Sequence, residues 1–339
     1  MFTGKSILVT GGTGSFGRTF VRTVLRDYRP KRVVVFSRDE LKQYEMEKDL
    51  GAPEMRYFIG DVRDLPRINL AMRGVDYVVH AAALKQVPAA EYNPIECIKT
   101  NILGAQNVVM AALENNVEKV VALSSDKAAN PVNLYGASKL ASDKLFVAAN
   151  NMVGRHRTRF SVVRYGNVVG SRGSVVPYFQ KLMSEGASEL PVTDPRMTRF
   201  VITLDQGVSF VVKSFQRMQG GEIFVPKMPS MRIMDLVKSF SRPVRHRVIG
   251  IRPGEKLHEM ICPSDDSHLT IDFLDHYVIR PGITFNEPID FSVNKSGEQG
   301  HPVGDAFEYC SGTNRHFLTV DEIRGIHSPG RSARHAVAD

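Results

Sequence analysis

SILVTGGTGSFG, residues Ser6–Gly17, decides the fold. Its first half, Ser6–Thr10, is a short apolar run that predicts a buried strand, and Gly11, Gly14 and Gly17 follow it. Glycines at this spacing allow a tight turn and a close approach of the backbone to a ligand. The helix that follows begins with unpaired N–H groups and a positive dipole. A strand, a glycine-rich turn and a helix in this order predict a dinucleotide-binding site.

The first two-thirds of the chain continues in the same rhythm, with short apolar runs alternating with helical patterns. This alternation is typical of a parallel sheet with helices on both faces. We therefore predict an α/β fold, a doubly wound parallel sheet of the Rossmann type. Strands are expected at Ser6–Thr10, Arg32–Ser37, Met55–Ile59, Tyr77–Ala81, Lys119–Ser124 and Arg159–Arg164, and helices at Asn93–Asn116 and Leu134–Asn150.

The rhythm changes after Gly166, where glycine and proline become frequent. We predict a dinucleotide-binding domain over residues 1–165 and a smaller, irregular substrate-binding lobe over residues 166–327 that crosses back to the first domain. One further strand is expected at Glu222–Pro226. The polar tail, residues 328–339, is expected to be disordered.

Composition narrows the class of partner. The chain has 339 residues and a formal charge of +8, but its Lys and Arg residues are scattered, so we expect an anionic small ligand and no nucleic acid. No apolar run reaches transmembrane length and no secretory signal is recognisable, which predicts a cytoplasmic protein without a membrane partner. Cys97, Cys262 and Cys310 lack the spacing of metal ligands, and no metal is expected.

The end of the second strand bears on the choice between the two nicotinamide dinucleotides. The order there is Ser37-Arg38-Asp39, and Lys42 follows. Enzymes that bind NAD usually have a carboxylate at this position for the ribose hydroxyls. Ser37 and the forked guanidinium of Arg38 are suited to the 2′-phosphate of NADP, and Lys42 adds positive charge. We predict NADP; the alternative is that Asp39 binds the ribose of NAD.

Further cofactor contacts are expected in the glycine-rich turn and where later strands end. Asp61 with Val62 follows the third strand, where adenine edges are often bound, although Asp61 is also suited to cap a helix. Small residues after the fourth strand would let the cofactor lie close to the backbone. The predicted contacts beyond Ser37, Arg38 and Lys42 are Gly11, Thr13, Gly14, Ser15, Phe16, Gly17, Asp61, Val62, Ala81, Ala82, Ala83, Tyr135 and Lys139.

Tyr135 and Lys139 form the pattern Y-x-x-x-K at the start of a predicted helix. The spacing places both side chains on one face. A nearby ammonium lowers the pKa of a phenol, so Tyr135 is predicted to accept a proton from a substrate hydroxyl near neutral pH. Lys139 is also placed to bind the nicotinamide ribose.

The motifs together resemble the extended short-chain dehydrogenases and, within them, the inverting UDP-N-acetylglucosamine 4,6-dehydratases of the pseudaminic acid pathway. The resemblance spans Gly11 to about Ile323, with two departures, since Gln86 stands where the family often has His and Met260 where it has a second Glu. The motifs are Thr10–Gly17, Ser37–Gln43, Gly60–Asp64, His80–Pro88, Ser124–Lys139, Tyr165–Pro177, Thr193–Phe200 and Arg252–Glu259.

The resemblance implies a role for Asp126-Lys127, which follows Ser125. Elimination of water from a 4-keto sugar needs a base for the proton on carbon 5 and an acid for the hydroxyl on carbon 6. We expect Lys127, with a pKa lowered by burial, to be the base and Asp126 to be the acid, with Ser125 beside them. The product would have the L-arabino configuration. The alternative for the pair is a surface salt bridge.

The resemblance also implies a UDP-sugar substrate, an internal NADP redox cycle and a homo-oligomer. Arg199 and Arg252 are suited to a diphosphate, or else to structural ion pairs. A sugar-nucleotide 4-epimerase, a retaining 4,6-dehydratase and a non-catalytic dinucleotide sensor are the competing functions. The predicted substrate-binding residues are Lys85, Asn167, Arg172, Thr193, Arg199, Arg252 and Glu255.

Overall fold

The computed structural model describes residues 1–171, 174–240, 244–284 and 289–327. The strands are β1 Ser6–Thr10, β2 Arg32–Ser37, β3 Met55–Ile59, β4 Tyr77–His80, β5 Lys119–Ser125, β6 Arg159–Tyr165, β7 Asn167–Val168, β8 Glu189–Val192, β9 Thr198–Ile202, β10 Ile223–Pro226, β11 Ser230–Arg232, β12 Arg245–Val248, β13 Met260–Cys262, β14 Thr270–Asp272, β15 His276–Ile279, β16 His301–Pro302 and β17 Tyr309–Cys310. The helices are α1 Ser15–Asp27, α2 Glu40–Leu50, α3 Leu65–Ala71, α4 Val87–Tyr92, α5 Pro94–Ile98, α6 Gly104–Glu114, α7 Leu134–Ala149, α8 Val175–Ser184, α9 Leu204–Arg217, α10 Ile233–Lys238 and α11 Val320–His327.

The main sheet of the described residues has the strand order β16-β14-β15-β10-β6-β5-β4-β1-β2-β3. Neighbouring strands from β3 to β10 run parallel, and β15, β14 and β16 extend the sheet antiparallel beyond β10. The predicted doubly wound parallel sheet is therefore confirmed. The winding direction changes between β1 and β4, which is where ligands bind in sheets of this type.

Burial explains why the apolar runs form strands. All five residues of β1 are buried, and so are the four central residues of β2. A strand with helices over both faces must be apolar on both sides, and such runs read as continuous rather than alternating. Most of the predicted strand bounds are confirmed to within a residue.

The second half of the chain contributes β10, β14, β15 and β16 to the main sheet, and α9 packs against α1. The predicted strand at Glu222–Pro226 is confirmed from Ile223 onward. A second apolar cluster gathers α8, β8, β9, α10 and α11, with Phe179, Leu190 and Leu236 almost fully buried in it. The boundary at residue 165 remains a prediction, and the predicted tail at 328–339 lies outside the described residues. No helix in the described ranges has both the length and the apolar character that crossing a bilayer requires.

The helix predicted at Asn93–Asn116 is interrupted: α5 and α6 are joined by a π-helical turn at Lys99–Leu103. Asn101, at the centre of this turn, is buried and donates through its amide to Leu84 O at 2.8 Å and to Ser138 Oγ at 2.9 Å. Its Oδ1 accepts the Leu84 N–H. The wider turn thus lets one side chain tie the loop after β4 to α7.

A buried ion pair lies beneath α7. Arg164 and Asp143 are each 2% exposed in their side chains, and their Nη2 and Oδ2 atoms are 3.1 Å apart. Asp143 also accepts the Ser124 hydroxyl at 2.8 Å, and Arg164 donates to Ile261 O at 3.0 Å. These contacts join β5, β6, α7 and β13.

Asp143→Ala is expected to destabilise the protein by about 3–5 kcal/mol, because it leaves the Arg164 guanidinium buried without a counter-charge. Urea unfolding measures the change. Asp49→Ala is the matched control, since Asp49 pairs with Arg22 at the surface and should change stability little. Equal effects of the two substitutions would contradict the prediction.

Candidate active site

A cavity of about 550 Å³ runs along the carboxyl ends of the central strands. It brings together most of the side chains that the sequence predicted for the site, from the glycine-rich turn to α7. The predicted residues that line it are Gly11, Thr13, Gly14, Ser15, Phe16, Gly17, Ser37, Arg38, Lys42, Asp61, Val62, Ala81, Ala82, Ala83, Lys85, Ser125, Asp126, Lys127, Tyr135, Lys139 and Asn167.

The glycine-rich turn needs glycine for steric reasons at two positions. Gly11 has φ +64°, and a Cβ there would lie 2.9 Å from Ala82 N. A Cβ on Gly17 would lie 2.5 Å from Gly12 Cα, so α1 packs directly on the turn. Gly14 precedes α1 and provides no capping side chain, so the amides of the first turn are left for an anion.

The end of β2 carries the polar groups predicted to select the cofactor. Thr13 Oγ1 and Ser37 Oγ are 2.8 Å apart. Arg38 is about half exposed, and its Nη1 lies 3.4 Å from Asp61 Oδ2. Such a long contact at an exposed side chain holds the guanidinium only weakly.

Asp39, the alternative ligand for a ribose, serves as the N-cap of α2. Its Oδ1 accepts the Lys42 N–H at 3.0 Å, and its Oδ2 contacts Lys42 Nζ. The carboxylate therefore already satisfies the first turn of the helix and the lysine that follows.

α7 positions Tyr135 and Lys139. The helix is capped by Asn133, whose Oδ1 accepts the Gly136 N–H at 2.7 Å. Lys139 is buried and donates to Leu123 O at 2.7 Å. Burial lowers the pKa of Lys139, and the Asp143 carboxylate offsets part of that effect.

The Lys127 ammonium does lower the pKa of Tyr135, but the prediction of a net downward shift is wrong for the chain as described. Burial raises the pKa of the phenol above its ordinary value, and Lys127 and the hydroxyl of Ser125 offset only part of the change. Tyr135 therefore holds its proton more tightly than a free tyrosine does.

Asp126 and Lys127 lie in a 3-10 turn, Asp126–Ala128, directly after β5. Ser125 fixes the turn, since its Oγ accepts the Lys127 N–H at 3.1 Å and donates to Asp126 Oδ1 at 3.0 Å. Lys127 Nζ lies 3.1 Å from the same Oδ1. Asp126 is 1% exposed, and its Oδ2 has no hydrogen-bond partner within the described ranges.

The expectation that burial leaves Lys127 with a lowered pKa is also wrong. Burial does lower the pKa, but the carboxylates of Asp126 and Glu259 together raise it further than burial lowers it. Arg199 opposes them in part. The net shift is upward, so Lys127 is an ammonium ion at neutral pH.

Glu259 was not predicted as a site residue. It is 2% exposed, and its Oε1 lies 3.3 Å from Lys127 Nζ and 3.6 Å from Arg199 Nε. The segment before β13 also contacts the end of this 3-10 turn, since Lys256 donates to Ala129 O at 2.6 Å. Glu259 closes the motif Arg252–Glu259 that contributes to the family resemblance, but the motif does not predict its contact with Lys127, because the two residues are far apart along the chain.

The predicted substrate-binding residues are divided. Lys85 and Asn167 line the cavity, and burial lowers the pKa of Lys85. Arg199 donates to Thr198 O at 2.7 Å and to Leu257 O at 3.1 Å, so its guanidinium is engaged by the protein itself.

The remaining predicted substrate-binding residues that the structure describes do not line the cavity. Arg252 and Glu255 pair with each other, with Nη2 and Oε1 2.6 Å apart, and neither they nor Thr193 line the cavity. Arg172 lies outside the described residues.

Several residues that line the cavity were not predicted. Tyr165 is the last residue of β6. It could have been predicted, because functional side chains in parallel sheets often lie at the carboxyl ends of strands. The others lie at the starts of α4, α8 and α9 and in the π-helical turn. The added lining residues include Gln86, Thr100, Tyr165, Ser174 and Leu204.

Comparison with known proteins places the chain among enzymes of sugar nucleotides. The family described as polysaccharide biosynthesis protein matches residues 7–281. A UDP-N-acetylglucosamine 4,6-dehydratase (inverting) of Campylobacter jejuni is 60% identical over 97% of this chain and 100% of its own length. A UDP-glucose 4-epimerase of Rickettsia canadensis is 45% identical over 82% of this chain and 84% of its own length.

The fold comparison agrees with the sequence comparison. A solved structure of Pen from Bacillus thuringiensis superposes with a TM-score of 0.85 and 36% identity, covering 96% of this chain and 97% of that one. The chain therefore belongs to the polysaccharide biosynthesis protein family and, within it, to the group of the inverting UDP-N-acetylglucosamine 4,6-dehydratases.

Proposed function

We propose that this chain is a lyase that removes water from UDP-N-acetylglucosamine across carbons 5 and 6 with inversion at carbon 5. The product is UDP-2-acetamido-2,6-dideoxy-β-L-arabino-hex-4-ulose. The observation that carries the proposal is the convergence of Tyr135, Asp126 and Lys127 on one cavity beside the glycine-rich turn. The full-length identity of 60% to an enzyme of this name supports it.

NADP is the proposed cofactor. The chain's own geometry fits a dinucleotide, since the uncapped start of α1 faces the cavity and the glycines of the turn leave no room for side chains. Arg38 and Ser37 would hold the 2′-phosphate, and Lys139 the nicotinamide ribose. When bound, NADP would supply a hydride acceptor for carbon 4 of the sugar and then a hydride donor for carbon 6.

We assign Tyr135 to accept the proton of the 4-hydroxyl as a phenolate, so it must first release its own proton to solvent against the upward shift of its pKa. Its hydroxyl is buried, so its charged form is stabilised only by the groups around it, of which Lys127 and Ser125 lower its pKa. Proton and hydride leave the sugar in the same step, which yields the 4-keto sugar. The ketone then makes the proton on carbon 5 acidic.

The raised pKa of Lys127 reverses the roles expected for the pair. We assign Asp126 as the base, because it lines the cavity and its Oδ2 has no hydrogen-bond partner among the described residues, and the Lys127 ammonium as the acid. Asp126 takes the proton from carbon 5, the bond between carbon 6 and oxygen breaks, and Lys127 protonates the departing hydroxyl. The separation of 3.1 Å between Nζ and Oδ1 allows the proton to pass from Asp126 back to Lys127. Return of the hydride to carbon 6 would leave an enolate, and carbon 5 would then take a proton on the opposite face from Lys127 or an ordered water, which gives the inverted configuration.

The UDP-sugar is proposed to lie along the wall that contains Lys85 and Asn167. Arg172, Thr193, Arg252 and Glu255 remain proposed contacts of its UDP portion. Arg199 is better explained by its contacts with Glu259 and the backbone than by a diphosphate.

Incubation of the purified protein and NADP with UDP-N-acetylglucosamine tests the function. Mass spectrometry should detect a product lighter by one water, and proton NMR should assign it the L-arabino configuration. An unchanged mass with an inverted carbon 4 would identify an epimerase. This alternative is considered because the relative from Rickettsia canadensis is named a UDP-glucose 4-epimerase. A D-xylo product would identify a retaining enzyme, and no product would favour a dinucleotide sensor.

The chain is further proposed to form a homo-oligomer. Tyr92, Ile95, Leu103 and Met110 follow one another at intervals of three, eight and seven residues along α4–α6 and are 87%, 59%, 45% and 42% exposed. Exposed apolar residues grouped in this way are typical of interfaces between copies. Light scattering after size-exclusion chromatography would test it, and a monomeric mass would contradict it.

The cofactor preference gives a direct prediction. Arg38→Ala should weaken NADP binding by about 10- to 150-fold, corresponding to the loss of one charge-assisted pair of about 1.5–3 kcal/mol, and should leave NAD binding almost unchanged. Titration calorimetry measures both affinities. Arg63→Ala is the control, because Arg63 also pairs with Asp61 but does not line the cavity. Equal affinities of the native protein for NADP and NAD would contradict the assignment.

A further inference from the structure

The ion pair between Lys127 and Glu259 joins the 3-10 turn Asp126–Ala128 to the segment that enters β13. Lys127 lines the cavity and is 27% exposed in its side chain, whereas Glu259 is 3% exposed and does not line the cavity. The carboxylate therefore lies behind the wall that Lys127 forms. A substrate in the cavity would contact the amine but not Glu259.

The backbone holds Glu259 in place on both sides. Its N–H donates to Ser311 Oγ at 2.8 Å, and its carbonyl accepts the Ser311 N–H at 2.8 Å. Ser311 Oγ is in turn 2.8 Å from Thr198 Oγ1. The glutamate side chain thus projects toward Lys127 from a rigid attachment.

Stability alone does not explain a carboxylate at this position. Burial of an ion pair costs desolvation energy, and well-packed apolar replacements are often as stable. Glu259 Oε2 makes no hydrogen bond within the part of the chain that the structure describes, which adds to the cost. The presence of a negative charge at position 259 therefore requires an explanation other than stability.

The groups around Lys127 come from four places: the 3-10 turn itself, α7, β9 and the segment before β13. Asp126 and Glu259 are the carboxylates, while Arg199 and Lys256 are cations and Tyr135 is a neutral phenol. Without Glu259, a single carboxylate would face the three cations. Repulsion from Arg199 and Lys256 and burial would then favour loss of the proton from Lys127.

We propose that Glu259 is a positioning residue that keeps the Lys127 side chain an ammonium ion and holds it beside the Asp126 carboxylate. The inference rests on the proposed function for its purpose, which is to supply a charged acid when the 6-hydroxyl leaves. The raised pKa of Lys127 agrees with this arrangement. Glu259 acts through Lys127 and does not touch the sugar.

Glu259→Gln tests the proposal without any need for turnover. Cyanate reacts with neutral amines, so the rate at which it labels Lys127 reports the fraction of amine that has lost its proton. We expect labelling at about pH 8 to be at least about tenfold faster in the variant, because removal of the anion lowers the pKa of Lys127 by one unit or more. Mass spectrometry of the labelled peptide gives the rate, with exposed Lys181 as the internal reference.

Glu298→Gln is the matched control, because it also removes a carboxylate from an arginine, Arg217, but lies outside the cavity lining. It should leave the labelling of Lys127 unchanged. If Glu259→Gln does not fold, Glu259→Asp keeps the charge at a greater distance and should accelerate labelling by a smaller factor. Unchanged labelling of Lys127 in a folded variant of Glu259 would overturn the proposal.

The pH profile of kcat gives a second readout. In the native protein the alkaline limb should lie high, and in Glu259→Gln it should move to lower pH by at least about one unit, because the acid is lost earlier as pH rises. A purely structural role would lower kcat equally at every pH. If the protein does not convert UDP-N-acetylglucosamine at all, the labelling result still decides the inference about Glu259, so the two failures are distinguishable.

Discussion

Tyr135→Phe is expected to bind the nucleotide sugar with nearly native affinity and to turn it over about 10²- to 10⁴-fold more slowly. The substitution removes only the hydroxyl oxygen that takes the proton from the 4-hydroxyl. Because oxidation at carbon 4 precedes elimination, every later step is lost with it. Steady-state kcat and calorimetric binding of UDP-N-acetylglucosamine measure the two effects separately.

Tyr178→Phe is the control for this result, since Tyr178 is about half exposed on α8 and does not line the cavity. Its kcat should equal that of the native protein. Retention of native turnover in Tyr135→Phe would remove Tyr135 from the chemistry. A parallel loss of substrate binding would instead indicate a structural role for the hydroxyl.

Lys127→Met is expected to stop water loss by a factor of at least about 10³ while still permitting oxidation at carbon 4. Methionine fills much the same volume but cannot protonate the departing hydroxyl. In a single turnover, near-ultraviolet absorbance should therefore report reduced cofactor that builds up and persists. The native protein should show no lasting reduction, because the hydride returns to carbon 6.

Lys127→Arg separates proton donation from charge. Arginine keeps the positive charge beside Asp126 and Glu259 but does not release its proton in proteins. Loss of dehydration in Lys127→Arg would support the assignment of Lys127 as the acid, whereas native activity would show that charge suffices.

In D2O the product should carry deuterium at carbon 5 in the inverted configuration.

Much of the fold could be predicted because each strand is a local pattern. The buried runs of β1 and β2 are continuous and apolar, and the glycine-rich turn between β1 and α1 has a spacing that few other structures require. The break in the helix at Lys99–Leu103 could not be predicted in this way. It depends on Asn101 and its partners Leu84 and Ser138, which are brought together only by the tertiary fold.

The electrostatics of the site were the least predictable part. From the sequence, Lys127 has one neighbouring carboxylate, and burial then dominates its expected pKa. The structure adds Glu259 from a distant segment, and the direction of the shift is reversed. The same limitation applies to Arg199. Its partners include Glu259 and Leu257, which lie far from the motif Thr193–Phe200 in the sequence and could not be predicted from it.

The pairing of β10 with β6 has a consequence for the newly synthesised chain. Until residues 223–226 leave the ribosome, β6 has a neighbour on one side only, although its residues Phe160–Tyr165 are buried in the finished protein. An apolar strand with an open edge is a template for pairing with other chains. We expect nascent chains that stall between the two strands to depend on chaperones and to aggregate when these are scarce, and chains that have released β15 to be protected.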